Sequence, residues 1–494
     1  MELQKGFNFN LFLNTNENFY MKLHFLSLLV ILTLFNCKKD GNNAEDNYAY
    51  FGGEIMNPNS DFVVILKSDV VVDTIKLDKR NRFLYKINNL KAGLYTFYHG
   101  GEVQMVLLEP KDSLLFRLNT LEFDESLVFT GIGDKKNNYL MNEFLENEIQ
   151  EKKIFKFCQL KPHVYESRVD SLKAFKLNKL NTFKSKYNPS ALFEKIAKAN
   201  IDYNYFSSKE VYPFVHHGNN KAEIVKALPK DFYSYRKSIN YNDDFFKEHN
   251  HYNSFLRYSA NNLALQDHLH HSSDSEFKRN SLCYNLDRLK IVDSLIINKT
   301  IKNELLYHFT ANYLSKSNNT ENNDAIVNSY LSKSSDETGK NEIKRFAASL
   351  NNLKEGGNFP DIKIVNYKNE ELEINSLIKT PTVICFWSNQ YYNHFKESHY
   401  KLNELKEKYP EVKFIVINID DFGQDRPKAS LKDNRFKFKD EYQFKNPKES
   451  IEALAIQPMT KTIVIDKHQK IVYNNTNIFS VNFEEQLLGA INRK

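Results

Sequence analysis

Sulfur and imidazole are the side chains of this 494-residue chain best placed to carry nucleophilic, redox or metal chemistry. The cysteines are Cys37, Cys158, Cys283 and Cys385. No two are spaced as C-x-x-C, so no dithiol is encoded locally, and none has a metal-knuckle spacing. The last three are an odd number and cannot all pair internally. Mostly buried free thiols are expected, with a Cys158–Cys283 bridge left open. Histidines cluster at His216-His217 and at His268-Leu269-His270-His271. Metal ligands must share a face, and neighbours along a helix do not. His268 and His271 can share one, but the sequence fixes no acidic or cysteine partner for them. Exposed loop histidines and no metal are therefore expected.

Cys37 ends a different pattern. After Met21 and Lys22, an apolar run extends from Phe25 to Phe35, interrupted only by Ser27 and Thr33. That length fits the roughly 7–15 residues of a signal-peptide core and falls short of the roughly 20 that span a bilayer. The run closes in Leu34-Phe35-Asn36-Cys37, which resembles the lipobox of bacterial lipoproteins, with Phe35 and Asn36 where small residues are usual. The resemblance implies cleavage before Cys37, a diacylglyceryl group on its thiol and an acylated amine, enough chains for a stable anchor. Residues 1–37 are then an upstream segment and signal peptide starting at Met21, and the polar residues 38–47 a tether. The expected partner is a membrane, reached through the lipid. The expected location is the bacterial cell envelope, at the outer membrane, facing the periplasm or the surface.

The remaining chain must supply the framework. Hydrophobic residues make up 41% and aromatics 14%, enough for real cores, and the length calls for two or three of them. With 68 basic against 62 acidic residues, the net charge of +6 argues against a nucleic-acid partner. From Tyr48 to Tyr139 short apolar runs alternate with turns: Phe62–Leu66, Val70–Leu77, Phe83–Ile87, Leu94–Tyr98, Met105–Leu108, Ser113–Leu118 and Leu127–Thr130. Their spacing predicts a small antiparallel sandwich or barrel over 48–139. The strings F-G-G-E-I at Phe51, D-T-I-K-L at Asp73, V-L-L-E-P-K-D-S-L at Val106 and F-T-G-I-G-D-K-K-N-N-Y-L at Phe129 resemble a domain of unknown function. That domain precedes thioredoxin domains in exported lipoproteins, so the resemblance implies architecture and no reaction. Residues 140–355 carry apolar positions at helical spacing, among them Leu172, Phe175, Leu180 and Phe183, then a block from Leu286 to Leu314. No fixed repeat appears, and a helical linking region is predicted.

From Gly356 the pattern becomes a βα alternation. Strands are predicted at Ile362–Tyr367, Leu372–Ile374, Thr382–Trp387 and Val412–Ile419, a helix over Tyr391–Tyr409, a hairpin at Thr462–Asp466 and Ile471–Asn474, and a last helix from Asn482. Phe359-Pro360-Asp361, Val383–Ser388, Val416-Ile417-Asn418-Ile419-Asp420 and Val464–Val472 match, in order, motifs of membrane-anchored thiol-disulfide reductases. Residues 356–494 thus resemble that branch of the thioredoxin superfamily. The resemblance implies a mixed α/β sheet covered on both faces, with a C-x-x-C at the start of the long helix. Here the register after Trp387 reads Ser388-Asn389-Gln390-Tyr391-Tyr392-Asn393-His394. Tyr391 takes the place of the attacking thiol and His394 that of the resolving thiol. A phenol with a pKa near 10 does no thiol exchange. Cys385, inside the central strand, is expected in the core. The family's cis-proline position, counted back from Ile465-Asp466, falls on Thr460, with Pro458 two residues earlier as the alternative.

The whole sequence thus predicts a multi-domain protein: an N-terminal antiparallel β domain, a helical middle and a C-terminal thioredoxin-like α/β domain. No catalytic residue, cofactor or metal is assigned. The expected role is non-catalytic binding or scaffolding at the envelope, with a peptide or partner protein as the ligand. Tyr391 and His394 are the degenerate redox positions, with Trp387, Gln390 and Thr460 as the neighbouring motif; they either bind a peptide or an acidic ligand or belong to a drifted site that became plain surface. Two alternatives stand beside it: a thiol-disulfide reductase or isomerase, and a cytosolic regulatory protein whose N-terminus is no signal.

Overall fold

The computed structural model describes residues 47–68, 70–272, 276–317, 319–421 and 423–492. The expected signal peptide, Cys37 and tether residues 38–46 lie outside them. The described residues fall within one compact unit.

Eight strands open the described chain: β1 (Tyr48–Met56), β2 (Phe62–Lys67), β3 (Val70–Lys76), β4 (Arg82–Asn88), β5 (Gly93–His99), β6 (Glu102–Leu108), β7 (Ser113–Asn119) and, after the short α1 (Phe123–Ser126), β8 (Val128–Ile132). They make two four-stranded sheets, β4-β1-β7-β8 and β3-β2-β5-β6. Alternation drives the packing. In β5, Gly93, Tyr95, Phe97 and His99 are buried while Leu94, Thr96 and Tyr98 between them are half-buried. Phe51, Phe83, Phe97 and Phe116 interlock between the sheets with ring centroids 5.0–5.8 Å apart. The antiparallel β domain expected over 48–139 is present, and it contains one parallel pair. β1 pairs with β7 in parallel, Phe51 beside Leu114, a long-range choice that strand-by-strand patterns do not encode.

Helices follow: α2 (Asp134–Phe157), α3 (Pro162–Tyr187), α4 (Ala191–Val215), α5 (Lys221–Lys226), α6 (Asn250–His271), α7 (Leu282–Leu295), α8 (Lys299–Leu314), α9 (Thr320–Lys333) and α10 (Glu337–Asn352). The block expected as one unit from Leu286 is cut at Asn298, whose side-chain oxygen caps α8 by accepting from the Thr300 and Ile301 amides at 3.1 and 3.2 Å. Ser281 caps α7 in the same way. The histidine expectation is also corrected. His268 and His271 form the last turn of α6, not a loop, and His268 is buried. No described helix is long and apolar enough to cross a membrane.

The last part contains β9 (Lys363–Asn366), β10 (Glu371–Glu373), α11 (Ile374–Leu377), β11 (Thr382–Trp387), α12 (Tyr392–Lys408), β12 (Lys413–Asn418), α13 (Asp425–Asp433), β13 (Glu441–Phe444), α14 (Pro447–Ala453), β14 (Thr462–Ile465), β15 (Ile471–Thr476) and α15 (Phe483–Ile491). Its sheet runs β10-β9-β13-β12-β11-β14-β15. β11 is central, parallel to β12 and antiparallel to β14. Every residue of β11 is buried, and its two faces serve different cores. Val383, Cys385 and Trp387 pack with Phe395, Leu402 and Leu405 of α12. Ile384 and Phe386 belong to a core that continues into the helical region through Leu306, Tyr330 and Leu350. The helical layer therefore closes one face of the sheet, and α12 with α15 closes the other.

Candidate functional site

The end of β11 and the start of α12 form the tip where the sequence placed the altered motif. Tyr391 is the N-cap residue of α12 and is 48% exposed. His394 lies in the first turn. Burial, with His399 nearby, pulls its pKa down to about 4, so it is neutral near pH 7. Its Nδ1 is buried without a hydrogen-bond partner. Burial, reinforced by the Asp420 carboxylate, pushes the Tyr391 phenol above its ordinary value. The structure thus brings Tyr391 and His394 together at one helix tip, with Trp387 and Gln390 leading into it. The cis peptide among the described residues is Gln457–Pro458, and Thr460 lies two residues beyond it.

The loop between Trp387 and Tyr391 is pinned by groups the sequence reading left without a role. Asp420, just past β12, is buried and accepts from Ser388 Oγ at 2.5 Å, the Asn389 amide at 2.7 Å, Asn389 Nδ2 at 2.8 Å and Asn418 Nδ2 at 3.1 Å. Asn389 Oδ1 in turn accepts from Ser430 Oγ of α13 at 2.6 Å. Under the tip, Trp387 Nε1 donates to Glu441 Oε2 at 3.2 Å, and His399 Nε2 lies 3.3 Å from Glu441 Oε1. Burial holds the Glu441 carboxyl above its ordinary value, against the pull of His399. Asp420 and Asn418 stand inside a motif the sequence displayed. Glu441 was missed with its strand, although a charged residue in the aromatic run Glu441-Tyr442-Gln443-Phe444 signals a buried partner.

No disulfide joins Cys158, Cys283 and Cys385, so the Cys158–Cys283 bridge does not form. Cys385 and Cys158 are buried, and burial pushes both pKa values up to about 12, which leaves them protonated and poorly nucleophilic. Cys283 is exposed, at the start of α7.

The β domain reaches the tip. Gly101, in the β5–β6 turn at φ +103°, lies so close to the loop that a Cβ there would sit 2.7 Å from the Gln390 carbonyl oxygen. Arg426 Nη2 of α13 donates to the Asn59 carbonyl at 3.4 Å. Tyr98 lies within the electrostatic reach of Arg426, Asp420 and Tyr391. The tip is thus partly covered by the chain itself, while Tyr391, Tyr392 and Phe479 keep exposed aromatic surface, Phe479 with its ring 6.2 Å from that of His394.

His394 gives a pH prediction with a defined sign. Its folded pKa of about 4 lies below the unfolded value of about 6.5, so the unfolded chain takes up the proton first as pH falls. Its stabilising share is complete above about pH 6.5 and is lost between there and about pH 4, by at most about 1.4 kcal/mol per pH unit. His249 and His308, held near 3, and His251, near 4, act with the same sign. Urea midpoints at pH 7 and pH 5 should differ less in His394→Gln than in the wild type. An equal drop in both assigns the acid sensitivity elsewhere.

Compared by sequence, the chain matches no family model and no curated protein. Solved structures do match one part of it. A structure described as a thiol-disulfide oxidoreductase from Bacteroides vulgatus is 15% identical, covering 28% of this chain and 98% of that one at a TM-score of 0.25. A thiol:disulfide interchange protein DsbE from Chlorobium tepidum is 16% identical over 28% and 99%, TM-score 0.25. The C-terminal domain of a thiol-disulfide oxidoreductase from Bacteroides thetaiotaomicron is 18% identical over 28% and 97%, TM-score 0.24. These likenesses are distant and carry no statement about chemistry. The described architecture is β sheets, then helices, then a mixed α/β sheet, in which no cysteine pair stands at the helix tip.

Proposed function

We propose that this protein is a lipid-anchored envelope protein whose thioredoxin-like domain has exchanged disulfide chemistry for binding, holding a peptide or partner protein at the tip of α12. The observation that carries the reading is chemical. A half-exposed phenol and a neutral imidazole occupy the two thiol positions, and neither can exchange electrons with a disulfide. The surroundings favour recognition. Tyr391, Tyr392 and Phe479 offer aromatic area, and the two phenols add hydrogen-bonding tips, the composition that anchors protein contacts. The network on Asp420 holds the loop rigid, which lowers the entropy cost of binding.

A peptide array probed with the full chain tests the binding. Selective retention of some peptides by the wild type, lost in Tyr391→Ser/Tyr392→Ser, supports the reading. Identical patterns for the two proteins contradict it. The anchor has its own test: incorporation of a radiolabelled fatty acid in cells is expected, and it should disappear in Cys37→Ala. Label retained in that variant, or never incorporated, removes the anchor from the proposal.

A further inference from the structure

Far from the α12 tip, two helices bring together four side chains whose chemistry belongs to a metal site. α6 ends at His271 and α7 begins at Leu282. His268 and His271, three residues apart, share one face of the last turn of α6. Cys283 and Asp287, four residues apart, share one face of the first turns of α7. One ligand atom from each of the four lies within 4.8 Å of every other. Asp287 is the hub: its Oδ2 is 3.1 Å from His268 Nδ1, and both its oxygens are 3.1 Å from His271 Nε2. Cys283 Sγ is 4.0 Å from His271 Nδ1.

We propose that His268, His271, Cys283 and Asp287 bind one transition-metal ion of the zinc class. Bonds of about 2.0–2.3 Å to a tetrahedral ion require donors about 3.3–3.8 Å apart, so closure needs side-chain adjustments of about 1 Å. Two imidazoles, a thiolate and a carboxylate suit zinc, cobalt or nickel, and do not suit the hard ions calcium and magnesium, which take oxygen ligands. The thiolate and Asp287 together balance a dication. Cys283 in the first turn of α7 is placed where the helix N-terminus favours the thiolate, and the C-terminal end of α6 favours the positive ion. Ring contacts line the inner side, with Phe277 and Tyr284 at 6.0 and 5.9 Å from the His268 ring. Arg288, next along α7, directs its charge away, donating to Asn261 Oδ1 at 3.1 Å and to Asn285 Oδ1. Bound there, the ion clamps α6 to α7 across the connection between them.

The same contacts contain a cysteine–histidine–aspartate relay, the layout of an activated nucleophile. A relay has no use for the second imidazole on Asp287, whereas an ion uses all four groups. The test is titration of the full chain with cobalt(II), then zinc(II). One equivalent of cobalt should give thiolate charge-transfer absorption and the intense visible bands of a tetrahedral site, both removed by zinc. The charge-transfer band should vanish in Cys283→Ser, and affinity should fall more than about tenfold in His271→Ala and in Asp287→Asn. Zinc should also slow alkylation of Cys283 and raise the thermal midpoint. Circular dichroism identical to the wild type confirms that each variant folds. A folded wild type with no cobalt spectrum, a band that persists in Cys283→Ser, or alkylation equally fast with and without zinc overturns the proposal.

Discussion

Tyr391→Cys combined with His394→Cys in one chain is expected to create an internal disulfide that excess dithiothreitol reduces reversibly. The two positions are the N-cap and the first turn of α12, three residues apart, where Cα atoms fall within the roughly 4.4–6.8 Å that a disulfide spans. The helix end lowers the pKa of the outer thiol, and the Asp420 carboxylate beside that position opposes it. The dithiol should therefore take a potential inside the range of about −120 to −270 mV covered by helix-tip dithiols. Insulin reduction should rise from no measurable rate in the wild type to a measurable one in the variant. Mass tagging after equilibration in glutathione buffers reads the potential. A variant whose two thiols never pair would show that the tip does not have the geometry described.

The second large effect belongs to Asp420. Its buried carboxylate holds Ser388, Asn389 and Asn418, and Asn389 passes the restraint on to Ser430. In Asp420→Ala those donors stay buried and lose their acceptor, at about 1–3 kcal/mol for each group left unmatched. A loss of about 3–5 kcal/mol is expected, in line with breaking a buried charged network from one side. Asp420→Asn keeps the shape but turns an amide donor toward other donors, so an intermediate loss of about 2 kcal/mol is expected. The only tryptophan, Trp387, is buried at the base of this loop, so its fluorescence during urea unfolding reports the site directly. A loss under about 1 kcal/mol for the alanine variant would mean that the network does not hold the loop.

Much of the fold was legible because the patterns were local. The fully apolar run Thr382–Trp387 reads as a strand buried on both faces, and Phe395, Leu402 and Leu405 mark the inner side of α12. Strands of the β domain showed in their alternation. What escaped depended on distance or on an exception. β13 was missed because four residues with Glu441 and Gln443 among them make a weak apolar signal, and α13 and α14 went with it. The parallel β1–β7 pair joins segments about 60 residues apart.

The site was legible to a similar depth. Tyr391 and His394 followed from register alone, while Asp420, Glu441 and His399 needed the sheet to bring them under the tip. His268 and His271 were visible as a pair on one face, but their partners Cys283 and Asp287 meet them only once the α6–α7 hairpin forms. A buried histidine ending a helix therefore read as an exposed loop residue.

Binding in place of disulfide chemistry requires that no pair among Cys158, Cys283 and Cys385 cycles between dithiol and disulfide. The most direct measurement is mass tagging of the folded wild-type chain after equilibration across a series of glutathione potentials. No intramolecular disulfide is expected among Cys158, Cys283 and Cys385 at any potential, and of these three only the exposed Cys283 should be modified. A two-electron transition that joins any two of these cysteines, together with insulin reduction abolished by Cys385→Ser, would contradict it.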